Sequence, residues 1–380
     1  MIKTYKYRIY PTNSQETTLE NIFSMCRHLY NWSLNERIEA YQDEQKSVSY
    51  YDQSAGLPLL KDERPWFSSV YAQTLQDVLK RVDKAFKNFF RRAKDKSIKA
   101  KGFPKFKKKG QWNSITYPQW NKHPSGDSVK VPKVGEMKII LHRMIPGDAK
   151  IKTMTVSKES DKWFACFSFE IESHVEPKQD LSDCVGIDLG LIDFYHTSDG
   201  QSVKVPQFLR KKLKDLKKIQ RKFSKVAKGS TVWLKILKVL RKIHFRVKCR
   251  RMDFLHKIAN NLLKHDLIVH ENLNIQSMMK TGWKGLNLSI GDVGWYTFIQ
   301  ILTYKASSLG KRVVGVDPRM TSQTCSSCGE IVKKSLSERT HQCGSCGFVA
   351  NRDHNAALNI LRLGLESLGI SLEAPTIALA

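Results

Sequence analysis

Two C-x-x-C pairs, "CSSC" at 325–328 and "CGSC" at 343–346, constrain this chain more than any other feature. Two such knuckles joined by a short loop can bring four thiolates around one tetrahedral Zn²⁺, each knuckle turning its backbone amides toward the sulfurs. Gly329 and Gly347 follow the second cysteine of each pair, where a tight turn favours positive φ. A single C-x-x-C can be a redox dithiol, but two at this spacing favour zinc. His341, two residues before Cys343, is a competing ligand whose position fits less well. The expected set is therefore Cys325, Cys328, Cys343 and Cys346 with one structural zinc ion. Cys26, Cys166, Cys184 and Cys249 are scattered singly and read as reduced, inert thiols.

Charge narrows the partner. The chain carries 64 Lys and Arg against 36 Asp and Glu, a formal net charge of +28, which points to a polyanion and most often to nucleic acid. Basic residues are spread along the sequence rather than gathered on one amphipathic helix, which argues against a membrane surface. No apolar stretch approaches the roughly 20 residues of a membrane span, and "MIKTYKYRIYP" lacks a signal-peptide core. A soluble, intracellular protein is expected. At 380 residues it is long enough for two or three domains.

The order of elements gives the organisation. "KTYKYRIYP" alternates like a strand and stops at Pro11, and from about Gln15 to Phe90 apolar residues recur three and four apart, as in helices. A basic loop follows, "KDKSIKAKGFPKFKKKGQWNS", whose lysines suit phosphates and whose Phe103, Phe106 and Trp112 suit base stacking; a merely solvated loop is the alternative. Residues 128–174 read as alternating strands, and "CVGIDLGLIDFYHTSDGQSVKVP" as three more. A basic helical pair spans about Gln207 to Lys264, broken at "KGS" 228–230. Between Arg210 and Arg251, Asp215 is the only acid, so a bound nucleic-acid backbone would relieve the self-repulsion of this pair.

"VGIDLG" at 185–190 places a carboxylate, Asp188, in an apolar run that should be a buried strand. An ionised side chain is costly there unless a partner or metal compensates it, although a strand-end turn residue is the plainer reading. "HDLIVHENL" is a second apolar strand, ending in Glu271, and "FVANRDHNAALNILRLG" is an amphipathic helix with Asp353 near its start. Three acids thus fall on two strands and a helix of one α/β domain, the way a ribonuclease H-like fold converges carboxylates on paired divalent metals. Two Mg²⁺ ions held by oxygen ligands can activate water and stabilise the leaving oxygen in phosphodiester hydrolysis. Asp193, Asp266 and Asp317 are the rival acids, Asp317 the most serious.

The runs "DPRMTSQTCSSCG", "CGSCGFVANRDHNAALNI", "GIDLGLIDF", "IVHENLNI" and "KYRIYPTNSQE" together resemble the TnpB proteins of insertion-sequence transposons, compact RNA-guided DNA endonucleases related to type V CRISPR effectors. The resemblance covers nearly the whole chain. It implies a multidomain α+β fold: a wedge β-barrel from residues 1–14 and 126–180, and a helical recognition lobe with the basic loop over 15–125. A RuvC nuclease domain with the basic hairpin would span 181–319, interrupted by a zinc-ribbon target-nucleic-acid-binding module over 320–350. The RuvC C-terminal helix would follow over 351–365, and a flexible tail over 366–380.

The resemblance also assigns roles. Asp188, Glu271 and Asp353 would be the catalytic triad holding two Mg²⁺, and the four paired cysteines the zinc ligands. The family usually has an acid where Asn351 stands, a departure outside the triad. Arg352 is a candidate phosphate contact. Gln73 and Gln76 are candidates for reading the short motif beside the target, since amides pair with an adenine edge; exposed polar helix positions are the alternative. Implied partners are a noncoding guide RNA from the same element and double-stranded target DNA, with one protein chain per RNA. A nuclease-inactive guided repressor would lack triad acids, and a carboxylate-dependent DNA transposase would act on transposon ends without RNA. An actin-like ATPase can also carry "GIDLG", but the cysteine pairs and the basic hairpin count against it.

Overall fold

The computed structural model describes residues 2–370 except 99, 125, 172–174, 177, 179, 180 and 336. Residues 371–380 of the expected tail lie outside the described residues. The chain forms two units, Met1–His174 and Val175–Ala380.

In the first unit, strand β1 (Ile2–Tyr10) leads into helix α1 (Asn13–Glu44), followed by α2 (Tyr50–Ala55), α3 (Leu57–Glu63) and α4 (Ala72–Lys94). Strands β2 (Ser114–Pro118), β3 (Ser128–Val131), β4 (Gly135–Ile140), β5 (Lys150–Glu159) and β6 (Lys162–Glu170) complete it. The alternation of β1 buries Tyr7 and Ile9 while Lys6 and Arg8 take the other face. Pro11 ends the strand. Thr12 then opens α1 with a capping box, accepting from the Gln15 amide while the Gln15 side chain accepts from Thr12 N–H.

The six strands form an antiparallel sheet in the order β2-β5-β6-β1-β4-β3. Its edge strands β2 and β3 share no ladder, yet the Tyr117 hydroxyl of β2 donates to the Pro132 carbonyl just past β3 at 3.3 Å, so the sheet curls strongly. One apolar core unites helices and sheet, joining Leu19 and Ile22 of α1 and Val78 and Leu79 of α4 to Phe167 and Phe169 of β6.

Two expectations change here. Strand β2 lies inside the 15–125 segment expected to be a helical lobe; it joins the sheet because its alternating residues pair with β5 and because α4 grips it. Thr74 Oγ1 donates to the Thr116 carbonyl at 3.0 Å, and Arg81 donates to the Ser114 carbonyl at 3.1 Å. In the basic loop, Trp112 is not a free stacking surface. It is buried against the Tyr30 ring, with the Arg81 guanidinium 5.1 Å from its own ring. Phe103 meets the Phe86 and Phe89 rings edge-on and stays 47% exposed, and Phe106 is 49% exposed.

The second unit begins with β7 (Cys184–Leu189), β8 (Asp193–Thr197) and β9 (Ser202–Lys204), then helices α5 (Leu213–Ser224) and α6 (Thr231–Leu262) and strand β10 (Leu267–Glu271). It continues through α7 (Ile275–Thr281), α8 (Lys284–Val293), α9 (Trp295–Ser307) and β11 (Arg312–Val316). The short strands β12 (Thr340–Gln342) and β13 (Val349–Asn351) precede α10 (Arg352–Ser367). The five-stranded sheet has the order β11-β10-β7-β8-β9, with β11, β10 and β7 parallel and β8 and β9 antiparallel. Helices cover both faces, which is why β10 is buried at every residue.

On one face, Leu255 and Leu262 of α6 and Phe298 and Leu302 of α9 pack on Ile187, Phe194 and Ile268. On the other lies α10, and it lies very close. A Cβ on Gly186 would stand 2.2 Å from the Ala357 carbonyl oxygen, and one on Gly364 would stand 2.4 Å from the Val269 side chain. The basic hairpin α5–α6 turns at Gly229, φ +89°, and Ser230 caps α6. Phe223 stacks on Trp233 at 4.9 Å, while every Lys and Arg from Arg210 to Arg250 is exposed.

Candidate active site and metal centre

Side-chain alternation puts the acids together. Val185 and Ile187 of β7 face the α6–α9 side, so Gly186 and Asp188 face α10. Leu267 and Val269 of β10 pack with Ile360 of α10, and Glu271, two residues on, takes the same face. The β10–β7 ladder ends with His270 beside Ile187, which leaves Glu271 and Asp188 as the next residues of adjacent strands. Because Gly186 lets α10 touch the sheet, Asp353 in the first turn of that helix reaches the same edge. Gly190 serves the turn beyond: a Cβ there would stand 2.6 Å from the Asp193 carbonyl oxygen.

Electrostatics register this convergence. Burial first, then the neighbouring carboxylates Glu271 and Asp353, push the Asp188 carboxyl up to about 8, with Arg352 and Arg339 pulling against them. Burial also raises Glu271, opposed by a hydrogen bond from the Thr321 hydroxyl. Crowded acids of this kind are what a divalent cation would relieve, and three carboxylates supply the hard oxygen donors that Mg²⁺ favours. They do not meet around one point. Among the described residues, the only groups of three or more His, Cys, Asp or Glu ligand atoms within 4.8 Å of one another are the paired cysteines.

The rival acids are accounted for. Asp266 sits at the far end of β10 from Glu271 and pairs with Lys178 at 2.9 Å and Lys311 at 3.4 Å. Asp317 is exposed and accepts from the Arg319 amide at 3.0 Å. Asp193 stands beside the site, 3.1 Å from His196 Nε2, which is itself 3.9 Å from Asp353.

Asn351 is the N-cap of α10, and its side-chain oxygen accepts from the amides of Asp353 at 2.8 Å and His354 at 3.3 Å. Asparagine and aspartate cap helices about equally well, so this position needs no acid. The Arg352 guanidinium donates to the Ser335 and Glu338 carbonyls and thereby holds a loop between the cysteine pairs. Gln73 donates to the Gln119 side chain at 2.7 Å, and Gln76, three residues along α4, is exposed.

The cysteines form the second centre. Cys325 and Cys346 Sγ are 3.7 Å apart, Cys328 and Cys343 3.6 Å, and all four lie within 4.8 Å of one another. Tetrahedral Zn–S bonds of about 2.3 Å require sulfurs about 3.8 Å apart, so the set fits. Gly329 and Gly347 have φ of +81° and +74°, as the knuckle turns require, and the amides of Cys346 and Ser345 hold the Cys343 thiol well below its ordinary range. His341 is buried with its Nδ1 against Lys334 and is not in the cluster.

Residues that the sequence reading missed tie the cysteine segment to α10 and anchor the basic hairpin. Asn355 and Asn359, one turn apart on α10 and fully buried, donate to the Thr324 carbonyl at 2.8 and 2.7 Å, and Asn355 also accepts from the Ser326 amide. Two asparagines at i and i+4 on an otherwise apolar helix face were the available signal. Asp292 is a buried acid anchoring the basic hairpin: it accepts from the Leu209 and Arg210 amides and pairs with Arg251 at 3.1 Å.

Three family models match the chain: "Helix-turn-helix domain" at 1–46, "Probable transposase" (OrfB_IS605) at 166–282, and "Cas12f1-like, TNB domain" at 295–360. The second contains Asp188 and Glu271, and the third contains the four paired cysteines and Asp353. Within residues 1–46 the regular elements are strand β1 (Ile2–Tyr10) and one long helix, α1 (Asn13–Glu44). The chain is 32% identical to "Putative RNA-guided DNA endonuclease InsQ" of Escherichia coli strain K12, over 96% of this chain and 92% of that protein. It is 31% identical to "TnpB-like protein L79" of Acanthamoeba polyphaga mimivirus, over 57% of this chain and 44% of that one. Its fold is similar to the protein in a cryo-EM structure of a Cas12f1–sgRNA–target DNA complex, with a TM-score of 0.54 and 16% identity, covering 95% and 98% of the two chains. No helix among the described residues is long and apolar enough to cross a membrane.

Proposed function

This chain belongs to the TnpB family, and from that premise we propose that it is an RNA-guided DNA endonuclease of an insertion-sequence transposon, cutting double-stranded DNA beside a short adjacent motif. The observation that carries the catalytic part is the convergence of Asp188, Glu271 and Asp353 on the α10 face of one sheet. The mixed sheet of the second unit, with β7, β8 and β9 antiparallel and β7, β10 and β11 parallel and helices on both faces, supports reading it as the RuvC nuclease domain. Strand β2 joins the strands of 1–14 and 126–180 in the wedge, and α1 to α4 are the recognition lobe.

Asp188, Glu271 and Asp353 hold the catalytic cations. Two Mg²⁺ ions bound there would activate water and stabilise the leaving oxygen of the phosphodiester. Asp188 must give up the proton that burial, and after it the neighbouring acids, impose on it, and Asn351 fixes the first turn of α10 so that Asp353 stays at the sheet edge. The four cysteines hold one structural zinc ion. The exposed Lys and Arg of α5 and α6 neutralise nucleic-acid phosphates, with specificity left to guide pairing. With one carboxylate centre in the described residues, the two DNA strands would be cut in succession.

The test is cleavage of a target plasmid by protein purified with RNA encoded beside its own gene, against RNA-free protein, each with and without Mg²⁺. RNA- and Mg²⁺-dependent cutting at the guide-matched site is expected. Cutting at transposon ends without RNA would favour a transposase, and RNA-dependent binding without cutting a repressor.

A further inference from the structure

The segment leading into the first cysteine knuckle touches one of the triad acids. The Thr321 hydroxyl donates to Glu271 Oε1 at 2.5 Å, closer than its other acceptor, the Pro318 carbonyl at 3.2 Å. Donor and acceptor are both buried, Thr321 at 3% exposure and Glu271 at 9%. Thr321 is itself held from behind. The buried Asn359 amide donates to the Thr321 carbonyl at 2.8 Å and to the Thr324 carbonyl at 2.7 Å, and Cys325 follows directly.

A glutamate at the end of a strand has three side-chain torsions, and as one of several crowded acids it is driven away from its neighbours. A hydroxyl held rigidly by backbone and helix contacts gives one of its oxygens a fixed, charge-assisted partner. Ligating carboxylates generally need such a second hydrogen-bonding partner to stay oriented.

We propose that Thr321 is a positioning residue for the nuclease: its hydroxyl fixes Glu271 Oε1, leaving Oε2 oriented for the divalent cation. The inference rests on the reading of Asp188, Glu271 and Asp353 as a cation site. It goes beyond that reading by assigning a role to a residue of the cysteine-knuckle approach, so that the segment which docks the ribbon on α10 also sets the rotamer of a catalytic acid. The hydroxyl is the working group. Serine should therefore replace threonine, and valine, with a methyl in the hydroxyl's place, should not.

The experiment uses the full chain loaded with its RNA, as wild type, Thr321→Val, Thr321→Ala and Thr321→Ser. Fe²⁺ with peroxide serves as the probe, because a bound Fe²⁺ cuts the polypeptide near its site and Mg²⁺ competes for that site, giving a binding midpoint independent of DNA cleavage. Zinc content and target binding in a gel shift check that the ribbon and the complex persist. Wild type and Thr321→Ser should agree within about twofold in midpoint and cleavage rate. Thr321→Val and Thr321→Ala should raise the midpoint and lower the rate by about tenfold or more, with zinc retained. If the valine and alanine variants keep the wild-type midpoint, or if serine is as defective as valine, Thr321 does not position Glu271. If wild type itself shows no Mg²⁺-competed scission near residues 188, 271 and 353, the cation site fails and the inference falls with it.

Discussion

The cysteine cluster and the proposed carboxylate site of the second unit are built in opposite ways. The cysteine centre comes from two knuckles within 22 consecutive residues, 325–346, each shaped by its own glycine turn and backbone amides. The carboxylate centre draws on residues 188, 271 and 353, brought together only when two parallel strands pair and a helix lies across them. A local centre can form from its own turn chemistry once an ion is present. A distributed centre exists only as far as the whole sheet is correct, and the crowding of its acids raises Asp188 in the way a bound cation would relieve.

The largest effect should come from removing a distributed ligand. Asp188→Ala should lower guided cleavage by on the order of a thousandfold or more, because several kcal/mol of transition-state stabilisation depend on correctly placed cations. Target binding in a gel shift should hold, since charge and base pairing supply it. Cutting at the wild-type rate would remove Asp188 from the active site.

Next comes the local centre. Cys325→Ser or Cys343→Ser should reduce zinc from about one ion per chain to nearly none in a colorimetric assay, since three thiolates do not close the structural site. A wild-type preparation without zinc would overturn the assignment.

Gly186→Ala separates the two centres most sharply. The new methyl group would collide with the backbone of α10, costing about 1–3 kcal/mol or more, and would move Asp353 off the sheet edge. Melting temperature and cleavage should both fall while zinc content stays unchanged. Loss of zinc in this variant would mean that the ribbon depends on the sheet as strongly as the acids do.

The proton competition at Asp188 gives a smaller, pH-dependent effect. Its carboxyl is raised from 3.8 to about 8, so the fold favours the protonated acid. That contribution is complete below the unfolded value and is lost as pH rises through about 8. A cation requires the ionised form, so the Mg²⁺-induced rise in melting temperature should be larger at about pH 8.5 than at about pH 6.5. Asp188→Asn should flatten the difference; an unchanged pH dependence in that variant would place the titration elsewhere.

The smallest effect concerns the cap. Asn351→Asp should leave stability and cleavage near wild type, whereas Asn351→Ala should cost about 1 kcal/mol in urea unfolding. A large loss in the aspartate variant would mean that asparagine does more than cap α10.

Much of this was legible in the sequence because it is local. The knuckles, the strand alternation of "KTYKYRIYP", the hairpin break at "KGS" and the three acids inside apolar or helical runs carry short-range signals of spacing and period. Other features have no local signature. Trp112 looked like an exposed ring in a lysine-rich loop, and only packing against Tyr30 and Arg81 buries it. Ser114–Pro118 is too short to announce itself as a strand without β5 beside it.

What the sequence determined alone was therefore the inventory: four cysteines spaced for one ion, acids placed where burial would be costly, and a charge suited to nucleic acid. Tertiary structure decided which acids share a face and which are neutralised elsewhere, as Asp266 is by two lysines. It also decided that Gly186 matters, because only a helix pressed onto the strand makes a missing Cβ necessary. The link from Thr321 to Glu271 belongs to the same class, since a hydrogen bond between residues 50 positions apart depends on a distance that no spacing or periodicity encodes.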